Sequence, residues 1–376
     1  MIKAQDVLAA LEEHTNVLLY GPPGTGKSHL MKEVENLFRA KHGTAATNVP
    51  CIDTTTERNA ITEVVDTGAH TCWVTFHQGY SYEDFVVGLR PKAGTSTAGT
   101  GLALEARAGA LVELAARSRT GHGLLLIDEI NRGNASRIFG EFITLMEADK
   151  RLDAHGSENA TTVTVTLPYV GEGEKIEIEP GLHVERRFQM PRRVYTLASM
   201  NSVDKSVAPI DSAIRRRFNV IHLRPTEADI ADAAGVSGSK NAVADLAVRV
   251  VTELNRGIGL YLGPDYMLGQ YYLPSGPKLG EMEEAEAKKK LTGIWRHRLL
   301  PQLVELFQAR PTVCMSLLRL GKLTNHSGLE VTEPSDSEVD EGASPFVVNA
   351  EASRSDDEIY AYLENFAALA SSQAKV

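Results

Sequence analysis

Eight residues near the start, Gly21-Pro22-Pro23-Gly24-Thr25-Gly26-Lys27-Ser28, match the pattern G-x-x-x-x-G-K-[ST]. Each residue type in that pattern suits one part of a phosphate chain. The glycines let the backbone turn so that its N–H groups face a β-phosphate at a helix N-terminus. Lys27 reaches the β and γ oxygens, and the Ser28 hydroxyl can ligate magnesium. His29 follows directly and belongs to the same candidate binding set. The expected ligand is a nucleoside triphosphate, ATP or GTP, with Mg2+ as cofactor.

About a hundred residues on, the apolar run Leu124 to Ile127 ends in Asp128-Glu129. Two acids at the carboxyl edge of a buried strand stand where open α/β sheets bind ligands. Asp128 is expected to hold magnesium through water, together with Ser28, and Glu129 to polarise an attacking water. Another run, Val194 to Ser199, ends in Met200-Asn201, which brings an amide to the same edge. Arg215 to Arg217 form a basic run that, on charge alone, reads as a helix end complementing its dipole.

These groups can meet only if a sheet brings them together. Five short apolar runs, Val17 to Tyr20, Cys72 to Phe76, Leu124 to Ile127, Val194 to Ser199 and Val220 to Leu223, alternate with helical patterns. That alternation predicts an α/β core around a five-stranded parallel sheet covered on both faces. After Leu223 the strand signal fades, and Leu291 to Phe307 places Trp295, Leu299, Leu303 and Leu306 at helical spacing. The expected organisation is a core over 1–223, a smaller helical domain over 224–323, a flexible acidic linker over 324–358 and an amphipathic helix over 359–376. Lys92 to Gly101 reads as a surface loop, and 161–193 alternate like a hairpin bearing Arg186, Arg187, Arg192 and Arg193.

The net charge of −10 over 376 residues is concentrated in the tail. Between Glu330 and Glu358 ten acids face one arginine, Arg354, a net −9 that leaves the first 329 residues at about −1. A near-neutral body keeps a local basic surface possible. With 43% apolar residues the chain has ample core, which excludes a disordered chain or a disulfide mini-protein. Cys51, Cys72 and Cys314 are odd in number and widely spaced, and read as buried thiols in a reducing cytoplasm. No apolar run approaches a membrane span, and the acids of the opening segment argue against a secretory leader, so a cytoplasmic protein is expected.

Several stretches together resemble the AAA+ NTPases, and more narrowly the McrB-type motors of modification-dependent restriction systems. They are FHQGYSYEDFVVGLRP (76–91), LIDEINRGNASRIFGEFITLMEADKR (126–151), VTLPY (165–169), and MNSVDKS (200–206) with IDSAIRRRF (210–218). LGQYYL (268–273) and IWRHRLLPQLVELF (294–307) match more weakly. The resemblance implies an AAA+ core with an all-helical lid, a homo-oligomeric, hexameric ring, and coupling to a McrC-like nuclease that acts on DNA. It places Asn201 and Asp204 on the family's Met-Asn-x-x-Asp signature, which organises water around the γ-phosphate. Arg216 and Arg217 fall on its arginine positions, with Arg216 the finger toward a neighbouring subunit. In relatives an insertion at 161–193 faces the ring pore, so its arginines are candidates for tracking a nucleic-acid backbone.

The sequence also departs from the family. Lys205 stands where arginine is usual, and Gln270-Tyr271 replaces the His-Ser of the helical domain. The phosphate loop begins at residue 21, so the methylated-DNA domain that some relatives place before the motor is not expected here. No guanine-reading Asn-Lys-x-Asp occurs. The competing expectation is a protein-remodelling chaperone of the MoxR type; YSYEDF and MNSVD favour the restriction motor.

Overall fold

The computed structural model describes residues 2–43, 68–92, 104–203, 210–274, 276–320 and 355–373, with 327, 330–331 and 346–347. The chain divides into two compact units. An α/β unit comprises Ile2–Tyr20 and Lys27–His222, and a mainly helical unit comprises Leu223–Val376 together with Gly21–Gly26. Asp204 and Lys205, and the expected loop beyond Lys92, lie outside the described residues.

The α/β unit is built on five strands, β1 (Asn16–Gly21), β2 (Ala69–Thr75), β3 (His122–Asp128), β4 (Val194–Asn201) and β5 (Asn219–His222). They form a parallel sheet in the order β5-β1-β4-β3-β2. Leu124 to Ile127 are fully buried, as a strand covered on both faces requires. The register sets Ile127 beside Ala198 and Thr75 beside Asp128, so β2 and β3 end level and β4 runs on past them to Asn201. Helices α1 (Ala4–His14), α2 (Lys27–His42) and α3 (Ala110–Arg117) cover the sheet; α1 buries Val7, Leu8 and Leu11 on the face read from its spacing.

The stretch Phe76 to Phe85 works as packing. The Phe85 ring meets those of Phe76 at 5.6 Å and Phe139 at 4.8 Å, both edge to face. Ser81 caps the short helix Tyr82–Phe85, whose Asp84 also pairs with Arg90 on the antiparallel hairpin Val87–Pro91 and Leu104–Ala108. Residues 161–193 hold two antiparallel pairings, Val165–Thr166 with Arg187–Phe188 and Lys175–Glu179 with Leu182–Glu185.

In the helical unit, α4 (Glu227–Ala234), α5 (Val243–Tyr261), α6 (Glu284–Ile294) and α7 (Leu300–Leu306) surround Leu254, Trp295, Leu299 and Phe307. Helices α6 and α7 are joined through a π-turn at Trp295–Leu299. Pro301 accounts for it, because proline has no N–H for the preceding turn and its ring crowds the carbonyl there. The last helix, α8 (Asp356–Gln373), buries Ile359, Tyr362, Leu363, Phe366 and Ala367 in the same core. Tyr362 donates to the Leu318 carbonyl at 2.8 Å, and Arg319 lies over the Phe366 ring at 5.2 Å.

Two expectations need correction. Cys72 is disulfide-bonded rather than a thiol, while Cys314 is the buried thiol expected. The acidic stretch is also not featureless, since Glu330–Val331 pair antiparallel with Phe346–Val347 and Ser327 accepts from Trp295 Nε1 at 2.8 Å. A carbonyl that satisfies a buried indole N–H gives a polar segment a reason to dock. Among the described residues no helix is long and apolar enough to cross a membrane.

Candidate functional site

Gly24 and Gly26 have φ of +76° and +84°, a left-handed backbone that glycine adopts without strain. Thr25 Oγ1 donates to the Pro22 carbonyl at 2.9 Å, closing the loop on itself, and Gly21 packs too tightly against Leu223 to admit a side chain. Within the helical unit, Tyr271 N donates to Gly24 O at 2.9 Å and Gln270 Nε2 to Thr25 O at 2.9 Å. The pair that departs from the family pattern therefore binds the backbone carbonyls of the loop. That contact joins residues 245 positions apart and carries no signal in the sequence.

Lys27 and Ser28 open α2 in the α/β unit, at the positive end of that helix. Lys27 is buried, which lowers its ammonium pKa to about 8 against the opposing pull of Glu129 and Asp128. Ser28 Oγ lies 3.2 Å from Asp128 Oδ2 and 3.3 Å from Oδ1. His29 is largely exposed, with Nε2 3.5 Å from Glu33.

At the carboxyl edge of the sheet, Ser199 links the two acids. Its hydroxyl donates to Asp128 Oδ1 and accepts from Glu129 N at 3.0 Å. Asn201 Nδ2 donates to Glu129 Oε1, and Arg132 Nε lies 3.6 Å from Oε2. Glu129 has φ 55° and ψ 51°, a left-handed turn by which the chain leaves β3 with the carboxylate facing Asn201. Lys27, Ser28, Asp128, Glu129 and Asn201 are thus brought together, and Ser199 and Arg132 are added to the set. Ser199 was hidden as the last residue of an apolar run; a hydroxyl beside an acidic strand end is the signal that marks it.

The arginine run is divided in its tasks. Arg215 lies over the Tyr20 ring at 5.7 Å, Arg216 is exposed, and Arg217 is ion-paired to Glu147 at 2.8 Å. The structure does not bring Arg216 or Arg217 to Glu129 within the chain by any hydrogen bond or ion pair among the described residues.

A parallel sheet in this order, with a phosphate loop after β1 and paired acids after β3, defines an α/β P-loop core. A sequence profile of the AAA domain (dynein-related subfamily) matches residues 59–218. The type IV methyl-directed restriction enzyme EcoKMcrB subunit of Escherichia coli K12 is 29% identical over 224 residues, covering 59% of this chain and 38% of that protein. The type II restriction enzyme BsuMI component YdiS of Bacillus subtilis 168 is 24% identical over 230 residues, covering 55% and 57%. Among solved structures, C. elegans PCH-2 aligns over 83% of this chain and 64% of its own at 15% identity and a TM-score of 0.30. The chain is thus similar to AAA domains over residues 59–218 and to McrB-type restriction subunits over more than half of its length. It spans 38% and 57% of the length of the two restriction relatives.

Proposed function

We propose that the chain is a Mg2+-dependent nucleoside triphosphatase that hydrolyses ATP or GTP in a homo-oligomeric, hexameric ring. Its place is the cytoplasm, as motor subunit for a McrC-like nuclease in DNA restriction, reaching DNA through that partner or the ring pore. The observation that supports hydrolysis is the continuous set Ser28, Asp128, Ser199, Glu129 and Asn201 beside buried Lys27.

The donor set fits magnesium. A hydroxyl and a carboxylate 3.2 Å apart are hard oxygen donors, and few protein ligands are needed where phosphates and water complete the shell. Bound there, the ion would neutralise charge on the phosphate oxygens. Lys27, buried yet still charged at neutral pH, would pair with the phosphate oxygens, which would hold its proton more tightly. Glu129 takes the proton of the attacking water while Asn201 fixes the carboxylate's orientation. Asp204 adds to this water network, as the family signature implies. Arg216, exposed on its own chain, serves the γ-phosphate held by a neighbour, with Arg217 beside it.

Phosphate release from ATP and from GTP, with and without the product of a neighbouring nuclease-like reading frame, tests this reading. Release should require Mg2+ and rise with the partner. Binding of both nucleotides without release under any combination would refute it. The ring is tested by mixing Arg216→Ala with Lys27→Ala protein: each is inactive alone, and activity should return where a working pocket meets a working arginine.

A further inference from the structure

Of the three consecutive arginines, Arg215 and Arg216 are exposed and Arg217 turns inward, which raises the question of what holds Arg216 in place. The short helix Ser212–Arg215 is capped by Asp211, which accepts from Ala213 N at 2.9 Å and from Ser136 Oγ at 3.1 Å. Arg216 ends this helix with its N–H on the Ser212 carbonyl at 3.0 Å. Its guanidinium makes no hydrogen bond or ion pair among the described residues. The next residue turns inward: the Arg217 side chain is only 9% exposed, donates from Nη1 to Ala213 O at 2.7 Å and meets Glu147 Oε1 through Nη2 at 2.8 Å.

A second tie joins the same two segments. Asn16 Nδ2 donates both to Met146 O at 2.8 Å and to Arg217 O at 3.1 Å. The segment on the far side of these ties is itself held. Fully buried Arg151 donates from Nε to Leu145 O at 2.6 Å and from Nη2 to Met146 O at 2.9 Å. Its other partners, Val194 O and Asn16 Oδ1, are also uncharged acceptors, and burial lowers its pKa to about 10. A guanidinium buried this way supplies several rigidly placed donors at once. Residues 145–147 are therefore a fixed base, and Glu147 is its one carboxylate directed at the arginine run.

We propose that Glu147 is a positioning residue for the shared site: by pairing with Arg217 it fixes the backbone at the end of the Ser212–Arg215 helix and so aims Arg216 at the neighbouring subunit's γ-phosphate. This rests on the ring reading above. It assigns Arg217 to bracing within its own chain, and it adds a residue that no motif marks. The pair lies on the periphery of the fold, with Glu147 37% exposed, so its purpose is orientation more than stability.

The experiment compares Glu147→Gln with wild type in phosphate release. Misaiming a contact remote from the chemistry lowers kcat by about tenfold to a hundredfold, less than the ~10³-fold or greater loss expected for Arg216→Ala. The KM for nucleotide should stay unchanged because the variant's own pocket is intact. Glu147→Gln mixed with Lys27→Ala should exceed the summed activity of the two alone, since Lys27→Ala subunits bring an intact brace and finger to the variant's pocket. Arg217→Met combined with Glu147→Gln should be no worse than the poorer single variant, as expected when two residues act as one unit.

Wild-type turnover in Glu147→Gln, or effects that multiply in the double variant, would overturn the brace. So would a mixture that stays inactive while Arg216→Ala with Lys27→Ala recovers, because the defect would then lie in the variant's own pocket. If neither mixture recovers although both proteins enter one oligomer, the ring reading itself fails, and the brace with it. A variant that melts well below wild type is replaced by Glu147→Asp, which keeps the charge but shortens the reach; full activity there with a shifted Arg217 contact would count equally against the proposal.

Discussion

The side-chain amide of Asn201 donates to Oε1 of Glu129 across 72 residues of sequence. One end of β4 thereby sets the direction of the carboxylate that follows β3. Glu129→Gln keeps the shape and removes the basicity, so nucleotide binding should persist while turnover falls by about a hundredfold or more. Fluorescent-nucleotide titration with single-turnover phosphate release checks both halves, and a wild-type rate would remove Glu129 from its role.

Burial holds Lys27 at about 8, and only its charged form pairs with phosphate. Because the pKa is lowered, charge is present below about pH 8 and lost above it. Nucleotide affinity should accordingly weaken between pH 7.5 and 9, by roughly tenfold per unit once past the pKa. Lys27→Arg, charged throughout this range, should show a flat profile whatever its absolute affinity. Equilibrium binding across that range decides it.

Phe366 is fully buried in the core of the helical unit, beneath Arg319. Phe366→Ala should cost that unit about 3–5 kcal/mol, and removal of residues 355–376 at least as much. Hydrogen exchange should show lost protection in Val243–Tyr261 and Glu284–Ile294 while the strands around Leu124 to Ile127 keep theirs. Unchanged protection in α5 and α6 would mean that α8 adds nothing to the core it enters.

His122 stacks on His42 at 4.0 Å where β3 begins and α2 ends. Burial, then the charges of His42 and Arg193, bring His122 down to about 4, and burial lowers His42 as well. The folded pKa lies below the unfolded value near 6.5, so the unfolded chain binds protons first as pH falls. Stability from this pair is full above about pH 6.5 and is lost through pH 4. The melting temperature should fall across that window, with a smaller slope in His122→Phe, which keeps a stacking ring but does not titrate.

The inner strands were legible because a strand buried on both faces must be largely apolar, as Leu124 to Ile127 are; β5 is only half-buried and stood out by the apolar run Val220 to Leu223 alone. Lys27, Ser28, Asp128 and Glu129 were legible because phosphate and metal chemistry fixes residue type and spacing. Ser199, Arg132 and the Gln270 contact with Thr25 were not. Each joins the site through a tertiary contact whose partner is distant in sequence, or through a type too common to stand out. Arg217 shows the opposite limit, since its sequence could not reveal that Glu147 turns it inward while Arg216 remains outside.

Glu129 occupies a left-handed backbone that suits glycine or asparagine, and holding a longer side chain there costs on the order of 1–3 kcal/mol. Position 129 is consequently a place where the chain is less heat-tolerant than its neighbours would allow. Selection for thermal survival alone would drift toward glycine there and discard the carboxylate. A laboratory search for hardier variants must therefore screen turnover at every round, because the mutation that relieves this torsion also removes the group that the turn presents.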